Sequence, residues 1–179
     1  MSIAEAFLAE FEQEAETTRR FLKEFPDDKL TWKAHEKSMT AGQLALHIAS
    51  VPGDVARMAV KNTIGMADLN PPTEQPRSIQ MVLDKLEESV ATVKEVLPTI
   101  DDASMQETWS FTDNGNPVFS VPRAGLLRSI MLNHWYHHRG QFGVYLRLVG
   151  AKVPSSYGPS GDEMPDFLQG VEGMEMAAS

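Results

Sequence analysis

Histidine is the residue type whose spacing in this chain suggests chemistry. Three of the five histidines lie within residues 133–141, and two of them, His134 and His138, are four residues apart. On a helix, side chains four residues apart project from one face about one turn apart, close enough for both imidazoles to bind one metal ion. A third imidazole must then come from elsewhere, and His47, within the apolar stretch 44–49, is the candidate.

Three neutral imidazoles around one divalent ion leave positions for water or a substrate, and such an open site acts as a Lewis acid. The alternative is a set of structural histidines, which is the commoner role of a single histidine within a helix. The spacing of His134 and His138 favours metal binding over that alternative. Two further ligands stay open: His137, three residues after His134, and Asp54, which shares the helix face of His47.

The residues that follow His138 have expected supporting roles. Gln141 lies about one turn beyond it and is placed to hydrogen-bond the second nitrogen of a ligand or a bound water. Arg139 lies off the ligand face, so we expect it to pair with a carboxylate of a neighbouring helix. Gly140 costs helix stability relative to alanine, and we expect it to permit the close approach of another helix.

Composition restricts the class of protein. The chain has 179 residues, which suits one domain, and no cysteine, so any thiol chemistry must use the sulfur of a co-substrate. The formal net charge is −9 and the sequence pI is about 5.0, with no run of lysine or arginine. Because phosphate backbones bind basic surfaces, this charge argues against nucleic acid as a partner.

Hydropathy argues against a membrane partner. No apolar run approaches the roughly 18 to 20 residues of a membrane-spanning helix. Glu5 and Glu10 stand where a signal peptide would need a basic and then apolar start. We therefore expect a soluble cytoplasmic protein.

Two capping boxes predict where the first two helices begin. In each box a Ser or Thr oxygen accepts from the N3 amide, and the N3 side chain accepts from the amide of the cap residue. Ser2 with Glu5 predicts a first helix that runs from about Ile3 to the break at residues 25–28.

Thr40 with Gln43 predicts a second helix from about Ala41, which places His47 in its second turn. Pro52 should kink this helix just beyond His47, because proline removes one backbone hydrogen bond.

The middle of the chain predicts a connection and a third helix. Residues 26–39 read as a loop anchored by Leu30 and Trp32, and residues 70–76 read as an extended linker because of their prolines. Ser78 is the predicted N-cap of a helix that stops before Pro98.

Residues 107–112 and 117–121 predict the two strands of a β-hairpin. They flank Asn114 and Gly115, both of which tolerate the positive φ of a tight hairpin turn. A last long helix should begin at about Pro122 and end before Gly150.

Together these elements predict an all-α fold, a four-helix bundle with a short β-hairpin insertion before the last long helix. Such bundles place metal sites between facing helices in the core. We expect residues 1–160 to form the domain and residues 161–179 to form a partly flexible C-terminal extension.

The motifs resemble those of the DinB-like (YfiT-like) metalloenzyme superfamily. The resemblance covers about residues 1–160 and is carried by residues 44–49 and by residues 134–141, with support from residues 145–147 and 153–160. Its most specific part is the His-x-x-x-His-Arg-Gly-Gln pattern that starts at His134.

This resemblance implies a four-helix bundle, commonly a homodimer, with a divalent metal ion on three histidines. Carried over by position, the ligands would be His47, His134 and His138, with His137 outside the metal's ligand set. Zinc and nickel are the first candidates for the ion, followed by iron and manganese. Characterised members resemble thiol-dependent transferases and isomerases that use low-molecular-weight thiols such as bacillithiol or mycothiol.

Three functional hypotheses follow. The leading one is a metal-dependent thiol S-transferase, or isomerase, acting on a small-molecule substrate with a low-molecular-weight thiol. The second is a hydrolase in which the same metal activates water. The third is a dimeric bundle that binds metal without catalysis.

Overall fold

Helices make up most of the described residues, which are 1–69 and 74–168 of this computed structural model. The helices are α1 (Ile3–Lys23), α2 (Ala41–Ala59), α3 (Ile79–Val96), α4 (Asp102–Gln106), α5 (Arg123–Leu126) and α6 (His134–Leu148), and the strands are β1 (Thr63–Gly65), β2 (Thr108–Asp113) and β3 (Asn116–Pro122). A π-helical segment, Leu127–Asn133, joins α5 to α6, so that the three form one continuous helical rod. Short 3-10 turns lie at residues 27–29, 66–68, 97–99 and 166–168.

Both predicted capping boxes are present. The Ser2 hydroxyl accepts from the amide of Glu5 at 3.1 Å, and the Glu5 carboxylate accepts from the amide of Ser2 at 2.7 Å. Thr40 and Gln43 make the same reciprocal pair at 3.1 Å each. The predicted starts of α1 and α2 are therefore confirmed, and α2 continues through Pro52.

The start of α3 is also where it was predicted, with the Ser78 hydroxyl accepting from the amide of Met81 at 3.3 Å. The helix ends at Val96, ahead of Pro98. Of the predicted linker 70–76, residues 70–73 lie outside the described residues.

Gln75 links the end of that predicted linker to the start of α2. Its side chain accepts from the hydroxyl of Thr40 at 2.6 Å and donates to the carbonyl of Leu30 at 3.0 Å. The loop 26–39 is held to the protein by Leu30, which is buried, and by Trp32, whose ring meets that of Tyr145 edge to face. These contacts fix the start of the helix that carries His47.

The predicted β-hairpin is confirmed, and it belongs to a larger sheet. Asn114 and Gly115 have φ values of 48° and 81°, the left-handed pair that a two-residue hairpin turn requires. β1 lies parallel to β2, with Thr63 opposite Ser110, which gives the strand order β1-β2-β3. The prediction of an all-α fold with only a hairpin was therefore incomplete, because a three-residue strand is too short to show an alternating pattern.

The core lies between α2 and its neighbours. α2 packs against α3 on one side and against α6 on the other, while α1 contacts α3 and α6. α2 approaches α3 closely at Gly53, where an added Cβ would lie 2.9 Å from the Cα of Ser89. The amide of Gly53 donates to the Ser89 hydroxyl at 2.7 Å in the same place.

None of the helices within residues 1–69 and 74–168 combines the length and the apolar character needed to cross a membrane.

Candidate metal centre

The structure brings together the three histidines predicted to share a metal ion. His47 comes from the second turn of α2, His134 is the first residue of α6, and His138 lies one turn later. One ring nitrogen from each lies within 4.8 Å of the others. The ring centroids are 5.2 Å apart for His47 and His134, 4.7 Å for His47 and His138, and 4.4 Å for His134 and His138.

The ring of His138 is oriented by Gln141. Its Nδ1 lies 3.0 Å from Oε1 of Gln141. With that oxygen as the acceptor, Nδ1 carries the proton of the neutral ring, and the lone pair is on Nε2. The predicted contact between Gln141 and the second nitrogen of His138 is confirmed, and it leaves Nε2 free to bind an ion.

His134 is the residue directly after the π-helical segment. Its backbone amide donates to the carbonyl of Ser129, five residues earlier, as π-helical geometry requires. Its Nδ1 is buried and makes no hydrogen bond of normal geometry within the described chain. The carbonyl of Ile130 favours the protonated form of this ring, although burial has the larger and opposite effect on its pKa.

The two Nε2 atoms of His134 and His138 face each other at 2.9 Å. Two lone pairs at this distance repel each other unless a cation lies between them, whether a metal ion or a proton. Zinc–nitrogen bonds of about 2.0–2.1 Å place two ligand nitrogens of one ion about 3.3–3.4 Å apart at the tetrahedral angle and about 2.9 Å apart at a right angle. The three imidazoles therefore fit a divalent metal ion in their chemistry, and His134 and His138 stand at a separation that one ion can bridge, with a nitrogen of His47 within 4.8 Å of theirs.

Burial keeps these imidazoles neutral. Desolvation, together with the neighbouring His138 and His134, lowers the pKa of His47 to about 4. Burial also lowers the pKa values of His134 and His138. Because neutral imidazole is the form that binds metal, the cluster is ready for a cation at neutral pH.

The two alternative ligands do not join the group that the described residues form. His137 is exposed on α6, and its ring centroid lies 4.9 Å from that of His138 on the outer side. Asp54 is half-buried on α2, and its carboxylate is not among the ligand atoms within 4.8 Å of one another. His35, the remaining histidine, is exposed in the loop before α2.

Trp135 fixes α6 against α2 beside the histidines. Pro52 has no amide hydrogen, so the carbonyl of Ile48, four residues earlier, lacks its helical donor. The indole Nε1 of Trp135 donates to that carbonyl at 2.8 Å. Since Ile48 follows His47 and Trp135 follows His134, this bond sets the two ligand-bearing helices relative to each other.

A buried ion pair fixes α6 against α1. Nη2 of Arg139 lies 2.6 Å from Oε2 of Glu14, and both side chains are almost fully buried. Arg139 also donates to the hydroxyl of Tyr157 at 2.7 Å and to that of Thr18 at 3.3 Å. The predicted pairing of Arg139 with a neighbouring helix is confirmed.

The expectation for Gly140 was wrong. A Cβ added at Gly140 would meet no atom of the described chain within 4 Å. Of the helix glycines in α6, Gly143 is the one at a close contact, where an added Cβ would lie 3.2 Å from Cε1 of Phe21. Helical periodicity alone did not tell which of the two faces the core.

A cleft of about 470 Å³ opens next to the histidines. His47 and His134 line it, together with apolar side chains such as Val51, Val55 and Ile130. Charged side chains also line it: Asp54, Arg57, Lys61 and Asp68. A ligand in this cleft would lie beside two of the three histidines and could bury an apolar part against the apolar side chains.

The family model described as the DinB family matches residues 1–169. The chain belongs to the DinB family. The matched residues include both histidine-bearing helices and the three strands that lie between them in sequence.

Relatives of this DinB-family chain match it over nearly their whole length. The uncharacterized protein YrdA of Bacillus subtilis strain 168 is 28% identical over 171 residues, which cover 95% of this chain and 96% of YrdA. Among solved structures, a DinB-like protein from Bacillus cereus ATCC 10987 has a TM-score of 0.67 at 24% identity, covering 86% of this chain and 97% of its own. The DinB-like protein YjoA of Bacillus subtilis has a TM-score of 0.64 at 18% identity, covering 89% of this chain and 96% of its own.

Several residues of this DinB site gave no signal in the sequence. Ser50 and Val51 line the cleft from α2, and Ile130 lines it from the π-helical segment. The partners of Arg139, among them Glu14 and Tyr157, come from other segments of the chain. Only the helical periodicity of α2 could have placed Ser50 on the face of His47.

Proposed function

We propose that His47, His134 and His138 hold a divalent metal ion and that the protein is a metal-dependent enzyme of the thiol S-transferase or isomerase type. The observation that carries this proposal is the convergence of three neutral imidazoles, with two Nε2 atoms 2.9 Å apart, beside a cleft of about 470 Å³. Membership of the DinB family supports it. Zinc or nickel is the proposed ion, with iron and manganese as alternatives.

A bound divalent ion would act as a Lewis acid that lowers the pKa of a thiol, so that thiolate forms near neutral pH. The chain itself supplies the remaining functions. Gln141 holds the tautomer of His138, and Trp135 holds the two ligand-bearing helices in register. The sulfur must come from a co-substrate because the chain has no cysteine. The apolar walls of the cleft suit a small electrophile that carries an apolar part.

The wider architecture is part of the proposal. We interpret α1, α2, α3 and the rod from α5 to α6 as the four helices of a bundle. We also propose a homodimer in the cytoplasm, with no nucleic-acid or membrane partner, on the basis of the family resemblance and of the acidic charge. Light scattering of the purified protein tests the dimer, which should give twice the mass of one chain.

Metal content tests the site itself. We expect protein purified without a histidine tag to contain about one divalent ion per chain by elemental analysis. The triple variant His47→Ala, His134→Ala and His138→Ala should contain almost none, whereas His35→Ala, which removes an exposed histidine, should keep the wild-type content. Equal metal content in the wild type and the triple variant would contradict the proposal.

The reaction is tested separately. Metal-loaded protein is incubated with a low-molecular-weight thiol and an aromatic electrophile, and we expect conjugation that chelation abolishes. Metal binding with ester hydrolysis but no conjugation would favour the hydrolase hypothesis instead. A large loss of stability on chelation, without either activity, would favour a structural ion.

A further inference from the structure

Asp54 is an ionisable group of the cleft to which the proposed metal site gives no role. It lies two turns after His47 on α2, with Ser50 between them, and all three line the same cleft. Its side chain is 36% exposed, so the carboxyl is open to a ligand but sheltered from bulk water. The carboxylate stands outside the group of three histidines.

The surroundings of Asp54 hold it in place without removing its basicity. Nη1 of Arg57 lies 3.3 Å from its Oδ1, and the hydroxyl of Ser50 is hydrogen-bonded to it. The guanidinium of Arg57 also donates to the carboxylate of Glu88 at 3.4 Å and to the Thr92 hydroxyl at 2.9 Å, so Asp54 is one of three groups that it contacts.

Charged groups on α3 also act on this carboxyl. Lys85 favours its ionised form and Glu88 opposes it, while Lys85 and Glu88 are themselves paired at 3.0 Å. Burial is the largest influence, and it raises the pKa of Asp54 above the ordinary value. A carboxylate with a raised pKa is a stronger proton acceptor than an exposed aspartate.

Ser50 lies between His47 and Asp54 on α2 and lines the same cleft. Its hydroxyl lies 3.3 Å from the carbonyl of His47 and also reaches Asp54 in the next turn. A hydroxyl is both donor and acceptor, so it can pass a proton from one neighbour to another. The contact with His47 is to its backbone carbonyl, so what relates Ser50 and Asp54 to the histidine cluster is that both line the cleft that His47 and His134 also line.

We propose that Asp54 is the proton acceptor for a thiol that binds in the cleft at the histidine cluster. This inference rests on the proposed function, because the cluster is what would hold the thiol. In the step, the S–H bond breaks and its electron pair stays on sulfur. An O–H bond forms on the Asp54 carboxylate, directly or through the Ser50 hydroxyl, and the proton then leaves to solvent through the mouth of the cleft.

The test measures thiol binding instead of turnover. The protein is loaded with Co²⁺, mixed with 2-mercaptoethanol in a stopped-flow instrument, and the sulfur-to-cobalt absorption band is followed. We expect Asp54→Asn to bind the same amount of Co²⁺ as the wild type but to develop the band about 100-fold more slowly, the size of a typical general-base contribution. Asp84→Asn, which removes an exposed carboxylate of α3, is the matched control and should keep the wild-type rate.

Chemical rescue separates proton transfer from a structural role. Formate added to Asp54→Ala should restore part of the lost rate, because it places a carboxylate in the vacated space, and Asp54→Glu should retain much of the rate. A wild-type rate in Asp54→Asn would overturn the inference and leave the proposed metal site intact. Loss of Co²⁺ from Asp54→Asn would overturn it by making Asp54 a ligand. A wild type that binds no Co²⁺ would overturn the proposed function and this inference together.

Discussion

At the residue scale, the site depends on which nitrogen of each histidine carries the proton. Gln141 settles this for His138, since its Oε1 accepts from Nδ1 at 3.0 Å and leaves Nε2 for the ion. No side chain among the described residues does the same for Nδ1 of His134, and the carbonyl of Ile130 favours protonation of its ring although burial lowers its pKa. The two ligand rings of α6 therefore differ: a side chain orients His138, whereas Nδ1 of His134 makes no hydrogen bond of normal geometry within the described residues.

We predict that Gln141→Ala lowers metal affinity by about 10- to 100-fold, the usual loss when a hydrogen-bond partner of a ligating histidine is removed. Gln141→Glu keeps an acceptor at this position and should stay close to the wild type. Competition with a chromophoric chelator measures both affinities. Unchanged affinity in Gln141→Ala would show that the contact does not orient His138.

At the element scale, the contact between α2 and α6 is what brings His47 to the other two histidines. Pro52 leaves the carbonyl of Ile48 without a helical donor, and Trp135 supplies one from the other helix. The hydrogen bond that α2 lacks at Pro52 is thereby replaced by one that binds α6 to α2.

The Pro52 and Trp135 pair can be tested as a double-mutant cycle. Trp135→Phe should lower the free energy of unfolding by about 1–3 kcal/mol for the buried carbonyl it leaves unpaired, in addition to any packing loss. In the Pro52→Ala background, residue 52 regains an amide for Ile48, so the same change should cost less. Urea unfolding of the four proteins measures the coupling. Equal costs in the two backgrounds would exclude this role for Trp135.

Local elements could be predicted from the sequence because their signals are local. The boxes Ser2/Glu5 and Thr40/Gln43 set two helix starts, and the spacing of His134 and His138 set half of the site. β1 was missed because its stability comes from pairing with β2, far along the chain. The π-helical segment before His134 was missed for a different reason, since its sequence has the same apolar periodicity as an α-helix.

At the scale of the whole molecule, the segment after α6 folds back against α1 and α6. Glu163 pairs with Lys152 at 2.8 Å and with Arg20 of α1, and it accepts from the hydroxyl of Ser155 at 2.9 Å. Tyr157 of the same segment reaches the buried pair of Arg139 and Glu14. Asp162 and Glu163 fall within the predicted extension 161–179, yet both are tied to the domain; residues 169–179 lie outside the described residues.

We predict that Glu163 makes stability depend on pH at the acid end. Lys152, Ser155 and Arg20 lower its pKa from 4.5 to about 2, against the opposing effect of burial. A lowered carboxyl pKa contributes stability above the unfolded value, and that contribution is lost as the pH falls from about 4.5 toward 2. Glu163→Gln should therefore be less stable than the wild type at pH 7 and equal to it near pH 2, as measured by urea unfolding. A constant difference across this range would contradict the assignment.

No sequence signal pointed to the arrangement of the whole site. Asp54 was a candidate from its spacing to His47, but its place in the cleft depends on the loop after α2 and on the π-helical segment. His47 was chosen as the third ligand from its place in an apolar helical stretch, and the family resemblance implied the same ligand, but neither gave the contact between α2 and α6 that brings it to His134 and His138. Such contacts arise from packing between elements that are distant in sequence, which periodicity does not record.

The central claim is that one divalent ion binds between His47, His134 and His138. Its most direct test is a crystal structure of protein purified without a histidine tag, with diffraction data collected at the absorption edges of zinc and nickel. We expect one anomalous peak per chain, within about 2.0–2.3 Å of a ring nitrogen from each of the three histidines. An anomalous map with no peak there, in protein shown by elemental analysis to carry a stoichiometric ion, would contradict it.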